Sequence, residues 1–334
     1  MMTTEKAEPV SIVSSNSDVR TEYKVHTRSV TGAKKRRRGK PCEDAVDYKK
    51  LKKGIICAVA DGHGDKKCKY SSIGAKLAVE SACEVLRAVL KDSPTPSALY
   101  TQFIDGRDKI CKDIITVWNR KVISDFLSRP ESNECEKYGI DILAYTEELF
   151  AKPKSKMTVE ETRAYYERRD YFESILHDAV ALYGTTLNVV VVTTKFIFCM
   201  GIGDGDIIAV QGKRFNWLLP PAEQFSTKTR SLCMKPYDAL ASFKCVTITK
   251  SKSKNCRSYM ESNINPDFIM LSTDGLRNSF LDDGMYIDRM VAINSERQTG
   301  YKKFVCNSKR WAEKLSRESV YQDDLTFALL AHNK

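Results

Sequence analysis

Acidic residues at the ends of apolar segments are the part of this sequence that could do chemistry. Residues 55–60 carry no polar side chain and lead at once into Asp61-Gly62-His63-Gly64. Such an apolar run predicts a buried strand, and the glycines allow the backbone to turn tightly and approach a bound ion. The Asp61 carboxylate and the Gly62 carbonyl suit a hard cation such as Mg²⁺ or Mn²⁺. Taken alone, the stretch is equally consistent with a strand followed by a glycine-rich turn.

The same arrangement of acids beside apolar segments recurs along the chain. The segments 196–200 and 268–271 each end in an Asp-Gly turn, acids precede the segment 325–330, and two acids lie upstream of the first strand. The acids in these four clusters are Asp204 with Asp206, Asp274, Asp323 with Asp324, and Glu43 with Asp44. Clustered carboxylates repel each other and stay ionised only when cations neutralise them. The pattern therefore predicts a metal centre with several carboxylate ligands.

The order of these motifs carries a family resemblance. Glu-Asp, Asp-Gly-His-Gly, Gly-Asp-Gly, Asp-Gly and Asp-Asp-x-Thr follow one another as in the PPM (type 2C) family of metal-dependent serine/threonine protein phosphatases, which this chain resembles. The first motif, Gly-Lys-Pro-Cys-Glu-Asp from Gly39 to Asp44, is most similar to the bacterial branch. The matching motifs extend from Glu43 to Leu330, which is nearly the whole chain. Asp-Gly-His-Gly after a strand is fairly specific, whereas each Asp-Gly alone is a weak signal.

This resemblance implies a metal-dependent hydrolase that removes phosphate from phosphoserine and phosphothreonine in proteins. Two Mg²⁺ or Mn²⁺ ions would bind the phosphoryl oxygens and supply a hydroxide that lies between them. Asp61 would bridge both ions, and Asp274 and Asp323 would complete one site. Glu43 and the Gly62 carbonyl would serve the other site.

Two more residues would complete the chemistry that the resemblance implies. His63 would be the general acid that protonates the leaving serine or threonine oxygen. In the family, an arginine four positions before the glutamate binds the substrate phosphate, but that position is Gly39 here. The role then falls to Arg38 or to Lys40. A guanidinium can bind two phosphate oxygens at once, which favours Arg38.

A third metal ion is an open question at the level of sequence. Asp204 matches an aspartate that holds a third, weaker ion in some members of the family. The residues after it depart from the family pattern, and Asn278 stands where an acid is often found, so this ion is in doubt unless Asp206 compensates. Asp44 and Asp324 lie beside the expected ligands and are predicted to brace their loops.

Composition sets the class of protein. The chain has 334 residues, 42% hydrophobic and 29% charged, with a formal net charge of +11 that favours anionic partners. Eleven cysteines without a C-x-x-C pair argue for free thiols in a reducing compartment. The apolar runs are too short to span a membrane, and the N-terminus lacks a signal-peptide core. We therefore expect a cytoplasmic, monomeric signalling enzyme that binds a phosphoprotein, with no membrane and no nucleic-acid partner.

The predicted fold class is α+β. By resemblance, it is a four-layer α-β-β-α sandwich in which helices flank two central antiparallel sheets and the metal site lies at one end of those sheets. Residues 1–20 are expected to form a flexible tail, and 21–334 the phosphatase domain. Within that domain, 130–178 is predicted to be a helical insertion and 220–242 a flap or loop beside the active site.

Periodicity places the individual elements along the chain. Helices are predicted at 71–90, in a second region between 99 and 126, and at 301–315. Strands are predicted at 23–30, at 243–249 and at 324–331, and the region 184–210 is predicted to form successive strands of a meander.

Two function classes from the sequence remain in competition. One is an active phosphatase, and the other is a catalytically silent relative that acts as a scaffold or as a phosphoprotein-binding module. The four principal carboxylates, Glu43, Asp61, Asp274 and Asp323, are all present, which favours the enzyme. The basic run 34–40 is either a solvated loop or a surface that attracts substrates with acidic flanks. A nucleic-acid-binding role would depend on this basicity alone, without a recognisable motif.

Overall fold

The computed structural model describes residues 22–129, 139–151, 157–220, 229–250 and 265–333. The tail expected at 1–20 lies outside the described residues, as do parts of the segments expected to form the insertion and the flap. Among the residues that are described, no helix is both long enough and apolar enough to cross a membrane. The nine cysteines in these ranges are all free thiols.

In the described part of the chain, ten strands form two five-stranded sheets in which every neighbouring pair is antiparallel. One sheet has the order β1-β10-β9-β6-β7 and the other the order β2-β3-β4-β5-β8. The strands are β1 (Tyr23–Val30), β2 (Ala45–Leu51), β3 (Gly54–Ala60), β4 (Leu187–Val192), β5 (Phe196–Ile202), β6 (Asp206–Gln211), β7 (Arg214–Trp217), β8 (Lys244–Thr249), β9 (Phe268–Ser272) and β10 (Leu325–His332).

Helices cover the outer faces of both sheets. Several begin with a side-chain cap: Thr95 and Asp282 each accept a backbone N–H, and Thr158 forms a capping box with Glu161. The helices in the described ranges are α1 (Ala33–Arg37), α2 (Ser71–Asp92), α3 (Pro96–Ile104), α4 (Arg107–Phe126), α5 (Gly139–Thr146), α6 (Val159–Ala181), α7 (Pro236–Ser242), α8 (Asp274–Arg277) and α9 (Asp283–Glu318), which is interrupted at Gly300.

Three apolar layers separate the four layers of secondary structure, as strand β3 illustrates. Its Ile56, Ala58 and Ala60 belong to the core that contains the buried faces of α2 and α4. Ile55, Cys57 and Val59, on the opposite face, belong to the core between the two sheets. A third core packs the other sheet against α9. The predicted four-layer α-β-β-α sandwich is therefore confirmed, and covering on both faces explains why β3 is apolar throughout.

Several local predictions were wrong in extent or connection. The predicted meander is broken because β5 pairs with β8, whereas β6 crosses to the other sheet and pairs with β9. Gly203 lies at that crossing with a φ of +116°, a backbone conformation that residues other than glycine rarely adopt. The helical region from 99 to 126 is two helices, and the helix predicted at 301–315 is the second half of the longer α9. Part of the basic run is the helix α1 rather than a loop.

Strand direction brings the acidic clusters to one end of the sandwich. Ala45 at the start of β2 pairs with Ala60 at the end of β3. In the other sheet, Ser272 at the end of β9 pairs with Asp206 at the start of β6 and with Phe327 near the start of β10. The acids that precede or follow these strands therefore meet at the same edge.

The contact between α8 and β10 sets the distance between two of these clusters, and it gives a first prediction. A Cβ atom at Gly275 would collide with the backbone carbonyl oxygen of Asp324. We therefore expect Gly275→Ala to lower the free energy of unfolding by about 1–3 kcal/mol, as overpacking does. Urea denaturation of metal-free protein measures this.

The matched control is Gly300→Ala, because a Cβ there makes only an ordinary contact with Lys303 at 3.5 Å. It should change the free energy of unfolding by less than about 0.5 kcal/mol. Equal effects of the two substitutions would show that the approach of α8 to β10 is not tight.

Candidate metal centre and active site

The backbone of the Asp-Gly-His-Gly turn is fixed by the start of the β4 segment. Thr186 donates its N–H to the Asp61 carbonyl at 2.9 Å, and Asp61 donates its own N–H to Thr186 Oγ1 at 3.0 Å. Thr185 Oγ1 adds a hydrogen bond to the same carbonyl at 2.8 Å. A Cβ on Gly62 would lie 2.5 Å from the Glu43 carbonyl oxygen, so only glycine allows this turn to approach the Glu43 loop.

Asp61 and Asp274 form the acidic centre of the site. Their carboxylates are in hydrogen-bond contact, and Asn278 donates its Nδ2 to Asp274 Oδ2 at 2.9 Å. Burial, followed by the charges of Asp44 and Asp274, raises the pKa of Asp61 well above its usual value. Burial also raises the pKa of Asp274 to about 6. These two groups hold negative charge that a proton or a cation must neutralise.

Asp204 belongs to this centre, and Asp206 lies at its edge. The charge of Asp204 acts on both Asp61 and Asp274, and its Oδ2 accepts a hydrogen bond from Thr229 Oγ1 at 3.0 Å. The Asp206 side chain is buried, and its Oδ1 lies 3.8 Å from Arg277 Nη1. Burial raises the pKa of Asp206 to about 7, and the charges of Asp274 and Asp204 act in the same direction against that of Arg277. The compensating role of Asp206 considered from the sequence therefore stays a prediction.

A second group of carboxylates surrounds the ammonium of Lys35. Its Nζ lies 2.6 Å from Glu43 Oε2, 2.7 Å from Asp324 Oδ2 and 3.7 Å from Asp323 Oδ1. Burial alone would lower the pKa of Lys35, but the hydrogen bonds that it donates to Asp324 and Glu43 raise it above its ordinary value. Lys35 is therefore a permanent cation at this side of the site.

Asp324 organises the loops around Lys35. Its Oδ1 accepts the Gly32 N–H at 2.6 Å, and its Oδ2 accepts the Glu43 N–H at 2.7 Å. The Asp324 side chain is only 2% exposed, whereas that of Asp323 is 52% exposed. The predicted bracing role therefore agrees with the contacts of Asp324, and Asp323 remains accessible to an ion.

The expected ligands lie in two neighbouring groups. Asp61, Asp274 and Asp204 form one group, and Glu43 and Asp323 lie beside Lys35, although the charge of Asp323 also acts on Asp274. Within the described ranges, no three acidic, histidine or cysteine side chains converge closely enough to hold an ion by themselves. The Asp61 group fits a hard divalent cation, because its donors are oxygens and no described lysine or arginine forms an ion pair with it. The charge of Glu43, in contrast, is balanced by the Lys35 ammonium.

His63 lies beside the same centre but is enclosed. The backbone N–H of His63 donates to the Gly184 carbonyl at 3.0 Å, and a Cβ at Gly184 would lie only 2.8 Å from the ring Nδ1 of His63. The Nε2 atom is buried and has no hydrogen-bond partner among the described residues. Burial lowers the pKa of His63, against the opposing charges of Asp204 and Asp65. Proton transfer from Nε2 to a substrate therefore requires the ring to turn or the covering segment to move.

Next to Lys35, a cavity of about 240 Å³ opens to the surface. Its walls combine cations with two of the expected metal ligands: Lys34, Lys35, Arg38 and Lys40, together with Glu43 and Asp323. Arg38 and Lys40 both reach this cavity, so the choice between them stays open. A cationic cavity beside carboxylates suits a phosphoryl group that bridges cations.

Sequence reasoning missed the role of Lys35. Lys34, Lys35, Arg36 and Arg37 are consecutive cations, and nothing in their types singles one out. Only the geometry of α1 points Lys35 at Asp324. The hydroxyl of Ser71, which donates to Glu43 Oε1 at 3.1 Å, was also missed because a helix-start serine carries no specific signal.

Comparisons with known proteins agree with the fold and the motifs. The family described as protein phosphatase 2C matches residues 31–305. Two similar solved structures are a bacterial serine phosphatase and the serine/threonine phosphatase Stp1 from Staphylococcus aureus, each 13% identical with a TM-score of 0.52. The alignments cover 93% of this chain and 98% of the first structure, and 97% of this chain and 100% of the second. No curated protein matches the chain. The family match over most of the chain shows that this protein belongs to the protein phosphatase 2C family of metal-dependent serine/threonine phosphatases.

Proposed function

We propose that this enzyme hydrolyses phosphoserine and phosphothreonine in proteins at the end of the sandwich where Asp61 lies. The observation that carries this proposal is the contact between the Asp61 and Asp274 carboxylates, together with a cationic cavity whose wall includes Asp323, an acid whose charge acts on Asp274. Neighbouring negative and positive surfaces of this kind suit a divalent cation and a phosphoryl group that share one site.

The ligand assignments are those that the family resemblance implies. Asp61, at the end of β3, would contact both ions, and Asp274 and Asp323 would complete the first site. Glu43 and the Gly62 carbonyl would form the second site. When bound, Mg²⁺ or Mn²⁺ would supply an activated water and neutralise the phosphoryl oxygens. Asp204 is the remaining candidate, for a third ion held less tightly.

The cationic cavity would orient the phosphate of the substrate. Arg38 is our first candidate for this contact, because its guanidinium can bind two oxygens at once, and Lys40 is the second. Lys34 lines the same cavity, and the charges at its rim would raise the local concentration of phosphosites with acidic neighbours.

We also propose that residues 21–334 form one catalytic domain, with an insertion at 130–178 and a flap at 220–242. The helices α5 and α6 lie in the first segment and α7 in the second. Phe150, after α5, packs edge-to-face against Tyr237 of α7 with ring centroids 5.3 Å apart. Through this contact the insertion would hold the flap in place.

The competing function is a catalytically silent relative that binds phosphoproteins. The presence of Glu43, Asp61, Asp274 and Asp323 at one end of the fold supports catalysis. Phosphopeptide binding without turnover at saturating Mn²⁺ would favour the silent scaffold instead.

Metal dependence is the direct test of this proposal. Phosphate release from phosphoserine and phosphothreonine peptides should require Mn²⁺ or Mg²⁺, and Asp61→Asn should lower kcat/KM at least about a hundredfold, which corresponds to about 2.7 kcal/mol. The amide removes a charge that the bound ions share.

Asp65→Asn is the matched control, because Asp65 lies in the same loop but is exposed. It should retain most of the activity. Turnover that survives chelation of divalent ions, or equal losses in the two variants, would contradict the assigned role of Asp61.

The role of His63 is tested with leaving groups of different basicity. His63→Gln should slow phosphoserine hydrolysis about 10²–10⁴-fold, the loss typical for a general acid. An aryl phosphate needs no proton on its leaving oxygen, so its hydrolysis should slow far less. Steady-state kinetics on both substrates give the comparison, and equal losses would assign His63 a structural role.

Preference for acidic substrates is tested at the rim of the cavity. Lys34→Ser combined with Lys40→Ser should raise KM for phosphopeptides with acidic flanks and flatten its dependence on salt, because exposed charges are screened beyond ~8–10 Å. Turnover of a small aryl phosphate whose aryl group carries no charge should change less than KM for these peptides.

The control pair is Lys213→Ser with Arg214→Ser, which removes the same charge from the β6–β7 turn at the opposite end of the sheet. If this pair has the same effect, net charge rather than the cavity determines the preference. If acidic and basic phosphopeptides respond alike to the cavity variant, the basic run has no part in specificity.

A further inference from the structure

The Lys35 ammonium lies between carboxylates, at a position where a metal ion is expected. Its ammonium contacts Glu43 at 2.6 Å and Asp324 at 2.7 Å and lies 3.7 Å from Asp323, yet its side chain is 15% exposed. Two of these three carboxylates, Glu43 and Asp323, are assigned to different metal sites in the proposed function. One lysine therefore supplies positive charge to both.

The helix that carries Lys35 is held beside the start of β10. Moving the Lys35 side chain away from the carboxylates therefore costs free energy. The Lys34 N–H donates to the Gln322 carbonyl at 3.3 Å, and the Ala33 N–H donates to Ser316 Oγ at 3.1 Å. A Cβ on Gly32 would lie 2.5 Å from the same Gln322 carbonyl oxygen. The backbone at the start of α1 is thus packed closely against residues 322–324.

Displacing Lys35 would also leave a buried charge alone. The Asp324 side chain is 2% exposed, and Lys35 is the cation that faces it. A buried carboxylate that loses its only ionic partner is strongly destabilised. A divalent ion beside Glu43 would in addition repel the ammonium only a few ångströms away.

We infer that Lys35 is a built-in cation that competes with a divalent ion for Glu43, so that the chain binds one ion tightly at Asp61 and Asp274 and a second ion weakly. This inference rests on the proposed metal chemistry of the site. It assigns Glu43 an ion pair with Lys35 as its first interaction. Occupation of the Glu43 site then requires the Lys35–Glu43 ion pair to break.

Calorimetric titration of Mn²⁺ into the metal-free full chain tests the competition without measuring activity. The wild type should show one tight site and a second site at least about tenfold weaker. Lys35→Met should tighten the second site by about tenfold or more, because it removes the competing charge. Lys34→Met, which removes a neighbouring cation from the same cavity wall, should change it less than about threefold.

Glu43→Gln keeps the test decisive if Lys35→Met does not fold, since it leaves the Lys35–Asp324 pair intact. In the wild-type background it should leave the tight site unchanged within about twofold and weaken the second site further. Where Lys35→Met does fold, adding Glu43→Gln should abolish the gain at the second site.

The failure of this inference is distinguishable from failure of the proposed function. Two equally tight sites in the wild type, or loss of the tight site in Glu43→Gln, would overturn the competition while leaving a metal-dependent phosphatase. Absence of Mn²⁺ binding in the wild type, or an unchanged tight site in Asp61→Asn, would overturn both.

Discussion

The ion pair between Lys35 and Asp324 joins parts of the chain that are almost three hundred residues apart in sequence. The same Asp324 carboxylate holds the N–H groups of Gly32 and Glu43, so one buried acid determines where α1 and the Glu43 loop lie against β10. Strand β10 in turn pairs with both β1 and β9, and β9 leads directly into Asp274. The relative positions of the two carboxylate groups therefore depend on a buried charge whose cationic partner, among the described residues, is Lys35.

Much of the fold could be predicted because buried strands correspond to short apolar runs in the sequence. The run before Asp61 and the run before Ser272 lie where the sequence predicted strands, as β3 and β9. The pairing of strands could not be read locally, since a continuous apolar strand fits either sheet equally well. The crossing of β6 to the other sheet at Gly203 is therefore visible only in three dimensions, and the four-layer arrangement was predicted from the family resemblance rather than from periodicity.

The candidate site was predictable to the extent that it consists of acids at strand ends. The sequence could indicate that Asp61 and Asp274 belong to one site, because both follow apolar strands and their motifs occur in the order of the family resemblance. It could not indicate that Glu43 is paired with Lys35, since long-range ion pairs leave no trace in spacing. It also could not show that His63 Nε2 is buried without a hydrogen-bond partner among the described residues, since this depends on packing in three dimensions.

We propose that in this member of the protein phosphatase 2C family Asp61 and Asp274 attract the first divalent ion, while Lys35 neutralises the opposite side of the site. The position of a bound ion tests this account most directly. An anomalous difference map from crystals soaked in Mn²⁺ should show its strongest peak in contact with the carboxylates of both Asp61 and Asp274. A strongest peak beside Glu43 with Lys35 turned away, or no peak at Asp61 under saturating Mn²⁺, would contradict it.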